Sequence, residues 1–474
     1  MVFQQKTKLP VWGFGRNGEL VTVEFNDQKA SSIVRDRCWE VALKPMKAGG
    51  PYTMKILGDT TIIVRDVYVG EVWVCSGQSN MGRRMAPHAK LQPIVNYEKE
   101  KEAANYPLIR QYEVSYGLSD TLTEDTHGTW KACSPSTVYN FSAVGYFFAR
   151  DLQKVLNVPI GLLFSSVGGT EAQFWISRRG LINNSQLRSM VEAYDLELKN
   201  YPVKLAEYNA KIDSIVARYK ADSVNAILEH KPKPRKPLPP QNPAERRRVS
   251  CYYNAMIYPL VKYQIKGVLW YQGESDRDFA LQYGVLFPTL IADWRKNWRC
   301  DHFPFLYVQI APFKKNTPEL REAQLLTLNK TVNTAMVVTT DCGDENDIHP
   351  PHKQPVGYRL SLAARALAYH EKIEYSGPVY KSFKIKGNKV ELCFSHAANG
   401  LMCNTNDTLK GFTISGADKK YVLANTSIKG NKIIVFNDSI KDPIAVRYGW
   451  DNVPTGNLYN TEKLPASPFR TDFK

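Results

Sequence analysis

Between residues 72 and 375 the sequence alternates short apolar runs with longer segments that have helical spacing. The apolar run at 160–169, for example, follows a segment at 142–156 whose apolar residues recur every three or four positions. Regular alternation of this kind predicts an α/β domain built on a doubly wound, mostly parallel sheet. Further strands are predicted at 265–271, 303–310 and 335–340, and further helices at 281–298, 319–333 and 355–369.

The residues on either side of this block have a different pattern. Residues 8–70 and the chain after about 375 consist of short alternating runs separated by Gly, Pro and Asn, which is typical of antiparallel β structure. We therefore predict an N-terminal β region over 1–70, an α/β domain over 71–375 and a C-terminal β region over 376–474. A polar helical and Pro-rich stretch at about 186–248 is predicted to be an insertion in the middle part.

Hydropathy, net charge and cysteine spacing limit the kinds of partner and cofactor that this chain is expected to bind. No apolar run reaches the eighteen or so residues that a membrane-spanning helix needs, so no membrane span is predicted. The net charge of +16 favours anionic partners. The basic clusters at 231–236 and 246–248 carry no interleaved aromatic residues, so nucleic acid is not the expected partner. The eight cysteines form no C-x-x-C pair and no zinc-type spacing, so no structural metal is predicted. No cofactor is expected.

Four predicted strands end in small or polar residues. In a parallel sheet, the carboxyl ends of the strands are where ligands bind and catalytic groups lie. The four sets are Ser79 after 72–78, Gly168, Gly169 and Thr170 after 163–167, residues 272–276 with Gln272, Glu274 and Asp276 after 268–271, and Asp347 and His349 in the loop 341–350.

Ser79 and His349 are the predicted nucleophile and general base. On the local residues alone, a turn that caps a helix explains Ser79 equally well. A serine is a weak nucleophile without a base in hydrogen-bond reach, and histidine is the usual base. Only His349 and His352 directly follow a predicted core strand. Asp347, or Glu274 from across the site, could fix the tautomer of such a base.

Acyl transfer also needs donors for the developing oxyanion, and losing one donor costs about 10²–10³ in turnover. The candidates are the backbone N–H groups of Ser79 and Gly169 and the side-chain amide of Gln272. Taken singly, the glycine pair is also compatible with a plain turn and Gln272 with a surface loop. The coincidence of four such sets at four strand ends favours a catalytic site.

Three blocks of the sequence resemble the signature blocks of sialate O-acetylesterases, which are SGNH (GDSL-type) serine hydrolases. They are GEVWVCSGQSNM at 70–81, WYQGE at 270–274 and DIHP at 347–350. Shorter segments agree with the same family, namely GGT at 168–170, YNAMI at 253–257, AVRYGW at 445–450 and ASPFR at 466–470. The resemblance therefore extends over almost the whole chain.

The resemblance implies a flavodoxin-like three-layer α/β/α SGNH hydrolase domain, with an accessory β-sandwich built from the N- and C-terminal regions. By position, Ser79 matches the nucleophile and His349 the general base. The oxyanion positions match Ser79, Gly169 and Gln272.

The acid partner of the histidine is less clearly assigned. Asp347 occupies the acid position, but many SGNH enzymes place the acid three residues before the histidine, where this chain has Asn346. A Ser-His-Asp triad and a Ser-His dyad oriented by Glu274 or by a backbone carbonyl therefore both remain open.

The function that follows is a carbohydrate O-acetylesterase acting on sialic acid, with 9-O-acetyl groups favoured, and the basic surplus suits a carboxylated sugar. The alternatives are an esterase of acetylated xylan or another polysaccharide, and a carbohydrate-binding protein without turnover. An acid is commoner in the family at the position of Gln173, which bears on substrate preference. Family members usually carry an export signal, so a periplasmic or secreted enzyme is expected, although no signal peptide is visible here.

Overall fold

A computed structural model describes residues 1–404 and 408–472 of the chain. These residues form two units. The first comprises 1–115, 126–172 and the chain from 260 onward, and the second comprises 116–125 and 173–259. The insertion predicted at about 186–248 lies within the second unit. No helix among the described residues is long and apolar enough to cross a membrane.

The N-terminal region is a set of short strands with its own apolar core. Strand β3 pairs antiparallel with β4 and β6, β6 pairs antiparallel with β7, and β2 pairs antiparallel with β5. Phe3, Val23 and Trp39 are among the residues of its core. The strands are β1 (Val2–Gln4), β2 (Leu9–Phe14), β3 (Leu20–Phe25), β4 (Gln28–Ile33), β5 (Cys38–Leu43), β6 (Gly49–Leu57) and β7 (Thr61–Gly77).

Strand β7 belongs to both the N-terminal sheet and the central sheet. It pairs with β6 through its first half, and its second half is the middle strand of the parallel sheet. The boundary predicted at residue 70 therefore lies inside one continuous strand. The sequence pattern changes there because 61–66 is mostly exposed, whereas nearly every side chain from Val67 onward is buried.

The central sheet has the strand order β13-β12-β11-β7-β10-β8-β9, and its neighbouring strands are parallel except for β8 and β9. Mixed α/β architecture is therefore confirmed. From Ser79 to Tyr369 the helices and strands in chain order are α1 (Ser79–Gly82), α2 (Tyr97–Glu102), β8 (Tyr106–Glu113), β9 (Trp130–Cys133), α3 (Ala143–Leu156), β10 (Ile160–Ser166), α4 (Arg178–Asn183), α5 (Arg188–Ala210), α6 (Ile212–Leu228), β11 (Gly267–Tyr271), α7 (Ala280–Asn297), β12 (Phe305–Val308), α8 (Pro318–Lys330), β13 (Thr334–Val337) and α9 (Gln354–Tyr369).

Helices cover both faces of this sheet. Trp73 of β7 packs on one face against Phe148 of α3, with ring centroids 5.1 Å apart. Trp270 of β11 packs on the other face against Phe287 and Trp294 of α7. Because both faces are buried, the strands are continuous apolar runs rather than alternating ones.

Helix α3 lies beside the site, and its local sequence determines where the helix begins and ends. Ser142 is its N-cap, and its Oγ accepts a hydrogen bond from the N–H of Gly145 at 3.1 Å. The same Oγ donates to the carbonyl of Met81 at 2.7 Å. Asn157, in the left-handed conformation, ends the helix. The helix predicted at 142–156 is confirmed, and its cap is bonded to the turn after Ser79.

The second unit is mainly helical and contains α4, α5 and α6. Inside it the Tyr194 hydroxyl donates to Asp120 at 2.8 Å, and the Arg248 guanidinium pairs with the same carboxylate. Trp175 stacks on Tyr252 with ring centroids 5.0 Å apart. The polar helical prediction for 186–229 is confirmed by α5 and α6.

The C-terminal region forms sheets of its own, one of order β14-β15-β20-β19, one of order β18-β17-β21-β23 and a β16-β22 pair. Its strands are β14 (Val379–Lys386), β15 (Lys389–Ser395), β16 (Leu401–Cys403), β17 (Phe412–Ser415), β18 (Val422–Leu423), β19 (Asn425–Lys429), β20 (Lys432–Phe436), β21 (Ala445–Tyr448), β22 (Leu458–Asn460) and β23 (Phe469–Arg470).

The prediction of one accessory sandwich built from both chain ends is wrong for the described residues. No strand of the N-terminal region pairs with a C-terminal strand there, and the N-terminal core cluster contains no residue from the C-terminal region. The reason lies in β7: the N-terminal sheet continues through this strand into the central sheet and closes its own core. Among the described residues, the two β regions share neither a sheet nor this core cluster.

Candidate active site

The turn after β7 places Ser79 at the carboxyl edge of the sheet. Gly77 has φ +134°, and a Cβ atom there would clash with the backbone of Tyr271 on β11. The N–H of Gln78 donates to the Tyr271 carbonyl at 3.0 Å, and the N–H of Val167 donates to the Gly77 carbonyl at 3.2 Å. Ser79 therefore follows a turn that is held on one side by β11 and on the other by the end of β10.

The glycine pair after β10 lies directly against Ser79. A Cβ atom built on Gly168 would be 3.3 Å from the Cβ of Ser79, so this backbone passes beside the serine. Gly169 has φ +66°, which favours glycine. The Ser166 hydroxyl fixes the approach by donating to the Gln78 carbonyl at 2.8 Å. The structure thus brings the Gly169 turn to Ser79, while the oxyanion role of Gly169 stays a prediction.

Asn80 connects the serine turn to the loop that carries the histidine. Its Nδ2 donates to the Ile348 carbonyl at 2.9 Å and to Glu274 Oε1 at 2.5 Å. Its Oδ1 accepts from Nζ of Lys353 at 2.6 Å. Asn80 is fully buried, and Glu274 and Lys353 are each 1% exposed. Because Asn80 follows Ser79 and Ile348 precedes His349, this amide brings the two predicted catalytic residues to one place.

His349 is half-buried beside Asp347. Its Nδ1 lies 3.7 Å from Asp347 Oδ1, and the same oxygen accepts a hydrogen bond from the His349 backbone N–H at 2.8 Å. Within the described ranges, neither the Ser79 hydroxyl nor the imidazole has a hydrogen-bond partner. Asp347 therefore acts on the ring by charge and on the loop by its hydrogen bond, and its role as triad acid stays a prediction.

The surroundings of the imidazole favour its neutral form. Burial lowers the pKa of His349, the negative charge of Asp347 opposes this, and the positive charges of Lys353 and Arg83 add to the lowering. A neutral imidazole is the form that can accept a proton. These surroundings agree with the predicted role of His349 as general base, which stays a prediction.

The Gln272 side chain is fully buried and is already engaged. Its Nε2 donates to the Thr170 carbonyl at 2.9 Å and to Asp276 Oδ2 at 2.5 Å. The N–H of Ala172 donates to the same carboxyl oxygen at 3.1 Å. Burial raises the pKa of Asp276 to about 7. Both amide protons of Gln272 therefore hold the segment after Gly169, and the action of Gln272 as an oxyanion donor stays a prediction.

Glu274 does not orient His349 directly. Its Oε1 accepts from Asn80, and its Oε2 has no hydrogen-bond partner among the described residues. Burial raises the pKa of this carboxyl group. In this arrangement Glu274 reaches the histidine loop through Asn80, and its role as the alternative acid stays a prediction.

The side chains that could bind a metal ion are the His, Cys, Asp and Glu residues of the described chain. Across residues 1–404 and 408–472, no group of three or more His, Cys, Asp or Glu side chains is arranged to hold a metal ion. No disulfide joins two cysteines among the described residues.

Comparison with known proteins identifies the family. The family described as carbohydrate esterase, sialic acid-specific acetylesterase, matches residues 246–366. The sialate O-acetylesterase of Mus musculus is 33% identical over 97% of this chain and 90% of that protein. That of Homo sapiens is 30% identical over 97% of this chain and 88% of that protein. The chain belongs to the sialate O-acetylesterase family.

A solved structure agrees with this membership. A carbohydrate acetylesterase from Xanthomonas citri superimposes with a TM-score of 0.83 at 33% identity, covering 100% of this chain and 97% of that one. The resemblance drawn from the three sequence blocks is confirmed. The chain is a carboxylic ester hydrolase of the carbohydrate O-acetylesterase class.

Three residues of the candidate site were given no role from the sequence, although Asp276 belongs to one of the polar strand ends. Asn80, Lys353 and Asp276 are all buried and all bonded to predicted site residues or to their neighbours. Lysine and aspartate are almost always exposed unless paired, so a sequence pattern gives no reason to bury them. The available signal was position, since Asn80 follows Ser79, Asp276 follows Glu274 by two residues, and Lys353 follows His349 by four.

Proposed function

We propose that this enzyme removes O-acetyl groups from sialic acid, with 9-O-acetyl esters favoured, through a serine nucleophile. The observation that carries the proposal is the Asn80 amide, whose bond to the Ile348 carbonyl joins the Ser79 turn to the His349 loop. A nucleophile and a base held at one sheet edge are what ester hydrolysis by acyl transfer requires.

In the proposed mechanism, neutral His349 accepts the Ser79 hydroxyl proton. Nδ1 faces Asp347, which leaves Nε2 as the nitrogen for this transfer. The Ser79 oxygen attacks the acetyl carbon, and the tetrahedral intermediate collapses as the imidazolium returns the proton to the departing sugar oxygen. Water then attacks the acetyl-enzyme with His349 as base again, and acetate leaves.

The oxyanion is proposed to be held by the N–H groups of Ser79 and Gly169 and by the amide of Gln272. The approach of the glycine turn to Ser79 supports the first two. Gln272 contributes when one of its N–H groups turns from the Thr170 carbonyl or from Asp276 toward the substrate. Asp347 is proposed to stabilise the imidazolium by its charge, from 3.7 Å.

The esterase domain is proposed to be a flavodoxin-like SGNH fold. Taken in chain order, β7, β10, β11, β12 and β13 lie in the spatial order 2-1-3-4-5, with β8 and β9 added at the edge beside β10. This order is that of flavodoxin-like sheets, whose ligands bind where the direction of winding reverses, beside the first strand. Ser79 follows that first strand, which supports the assignment.

Sialic acid as the substrate is supported by the relatives' names and by charge. The chain carries a net charge of +16, and a cationic protein attracts a sugar that bears a carboxylate. The enzyme is further proposed to act in the periplasm or outside the cell, as the resemblance to exported family members suggests.

Acetate release tests the proposal. We expect release from 9-O-acetylated sialic acid to exceed release from acetylated xylo-oligosaccharide, and Ser79→Ala to abolish both while the protein keeps its thermal transition. Faster turnover of the xylo-oligosaccharide would transfer the proposal to a polysaccharide esterase. Undiminished turnover by folded Ser79→Ala would overturn the serine mechanism.

A further inference from the structure

Lys353 is a buried lysine that no step of the proposed mechanism uses. It ends the loop that carries His349 and directly precedes α9. Its side chain is 1% exposed, and Nζ donates to Asn80 Oδ1 at 2.6 Å. The ammonium also stands over the ring of Tyr271, 5.1 Å from the ring centroid. Lysines are almost never buried without a specific partner, so this placement needs an explanation.

The Lys353 contact fixes the orientation of the Asn80 amide. In its ammonium form Lys353 offers only donors, so the oxygen of the amide faces it. Both protons of Nδ2 are then directed at acceptors, one at Glu274 and the other at the Ile348 carbonyl. A flipped amide would set its oxygen against these two acceptors and its N–H groups against the ammonium. Lys353 thus permits only one arrangement of the bridge.

Glu274 offsets the charge that Lys353 brings into the interior. The two groups bond to opposite ends of the same amide, and each opposes the effect of burial on the other. Burial lowers the pKa of Lys353 to about 7 despite this. The titratable or charged groups that face Lys353 are Glu274, Tyr271, Cys342, Arg83, Asp347 and His349.

We propose that Lys353 is a positioning residue of the esterase: through Asn80 it holds the Ile348–His349 peptide at the Ser79 turn. The inference rests on the proposed Ser79–His349 chemistry. Displacing a catalytic group by about 1 Å costs on the order of 10²-fold in rate. The role also includes an electrostatic part, because the positive charge of Lys353 disfavours the imidazolium form of His349.

Lys353→Met tests this, since methionine keeps the volume of the side chain and removes its charge and donors. We expect kcat to fall by about 10²-fold with KM changed by less than about threefold. The acidic limb of the kcat/KM profile should move to higher pH, because a cation near the imidazole has been removed. Exposed Lys372 provides the matched control. Lys372→Met should change neither kcat nor the position of the acidic limb.

A second pair of variants keeps the test decisive if Lys353→Met does not fold. Lys353→Met combined with Glu274→Gln leaves no unpaired buried charge, and the carbonyl oxygen of the introduced glutamine can still accept from Asn80. We expect this folded double variant to be about 10²-fold slower in kcat than Glu274→Gln alone. Equal kcat values for these two would overturn the positioning role.

The outcomes also separate this inference from the proposed function. If Ser79→Ala is inactive while Lys353→Met is folded and as fast as the wild type, only the role of Lys353 fails. If Ser79→Ala stays active, the serine mechanism itself fails, whatever Lys353→Met does.

Discussion

At the residue scale, Asp347 differs from the acid of a hydrogen-bonded triad. Its carboxylate lies 3.7 Å from Nδ1 of His349 and bonds instead to the backbone N–H of the same residue. A carboxylate in this position still stabilises the imidazolium by charge, and it fixes the loop through the peptide. The sequence assigns Asp347 to the acid position and leaves a dyad as the alternative, because spacing places an acid near the histidine but does not show the atom to which it bonds.

Asp347→Asn should therefore have a moderate and pH-specific effect. The negative charge of Asp347 raises the pKa of His349, so its loss should lower that pKa and move the acidic limb of kcat/KM to lower pH. We expect kcat to fall by roughly 10–100-fold, equivalent to about 1–3 kcal/mol of lost imidazolium stabilisation. A kcat/KM profile between pH 4 and 9 measures both. An acidic limb that moves to higher pH would contradict this role.

Asp276 is predicted to set a pH dependence of stability. Its pKa in the folded protein is raised to about 7 from an ordinary 3.8, so the folded state binds the proton more tightly than the unfolded state. The stability that this provides is present below about pH 4 and is lost as the pH rises through 7.

Asp276→Asn should remove that loss. We expect the variant to gain up to about 4 kcal/mol over the wild type at pH 8, from three pKa units at about 1.4 kcal/mol each, and no gain at pH 4. Chemical denaturation at the two pH values measures it. An equal difference between variant and wild type at both pH values would show that the carboxyl group does not titrate in this range.

At the scale of elements, the strand ends were predictable and the length of β7 was not. Each buried strand is an apolar run followed by small polar residues, which is visible in the sequence at Ser79, Gly168 and Gln272. Strand β7 is exposed over 61–66 and buried beyond, so one strand has two patterns and resembles a domain boundary. The two halves of β7 differ because other elements of the fold cover only the second half. A local sequence pattern does not contain that information.

The turn that ends β7 should tolerate no side chain at Gly77. Its φ of +134° and the clash of any Cβ atom with the Tyr271 backbone predict that Gly77→Ala costs more than about 4 kcal/mol. Gly387, in the β14–β15 hairpin, has φ +59° and open space around it. Gly387→Ala should therefore cost only about 1–2 kcal/mol. Thermal melting of the two variants compares them, and equal costs would refute the clash.

At the scale of the whole first unit, the C-terminal region supports the esterase domain. Arg321 on α8 is fully buried and donates to the carbonyls of Asp451 and Asn452, both at 2.8 Å. The Asn452 carbonyl also accepts a hydrogen bond from the N–H of Phe313. The backbone N–H of the next residue, Lys314, donates to the carbonyl of Glu345 in the histidine loop. The sequence predicted the β strands of this region but not the bonds from Arg321 to Asp451 and Asn452, because these join residues more than a hundred positions apart.

A chain truncated after residue 375 should therefore fail to fold. Truncation leaves the Arg321 guanidinium, the Gln309 amide and the Glu322 carboxylate without their C-terminal partners. Each buried polar group left unpaired costs about 1–3 kcal/mol, and the sum approaches the stability of a typical domain. Circular dichroism and size-exclusion chromatography measure the outcome. A soluble fragment with a cooperative melt would show that the C-terminal region is dispensable.

The central claim, that Ser79 is the nucleophile and His349 its base, is tested most directly by covalent labelling with a fluorophosphonate. At pH 8, where His349 is neutral, peptide mapping of the wild-type enzyme should find the adduct on Ser79. His349→Ala should slow labelling by at least about 10²-fold at an unchanged thermal transition. An adduct on a different serine, or labelling of Ser79 at the wild-type rate in folded His349→Ala, would contradict the account.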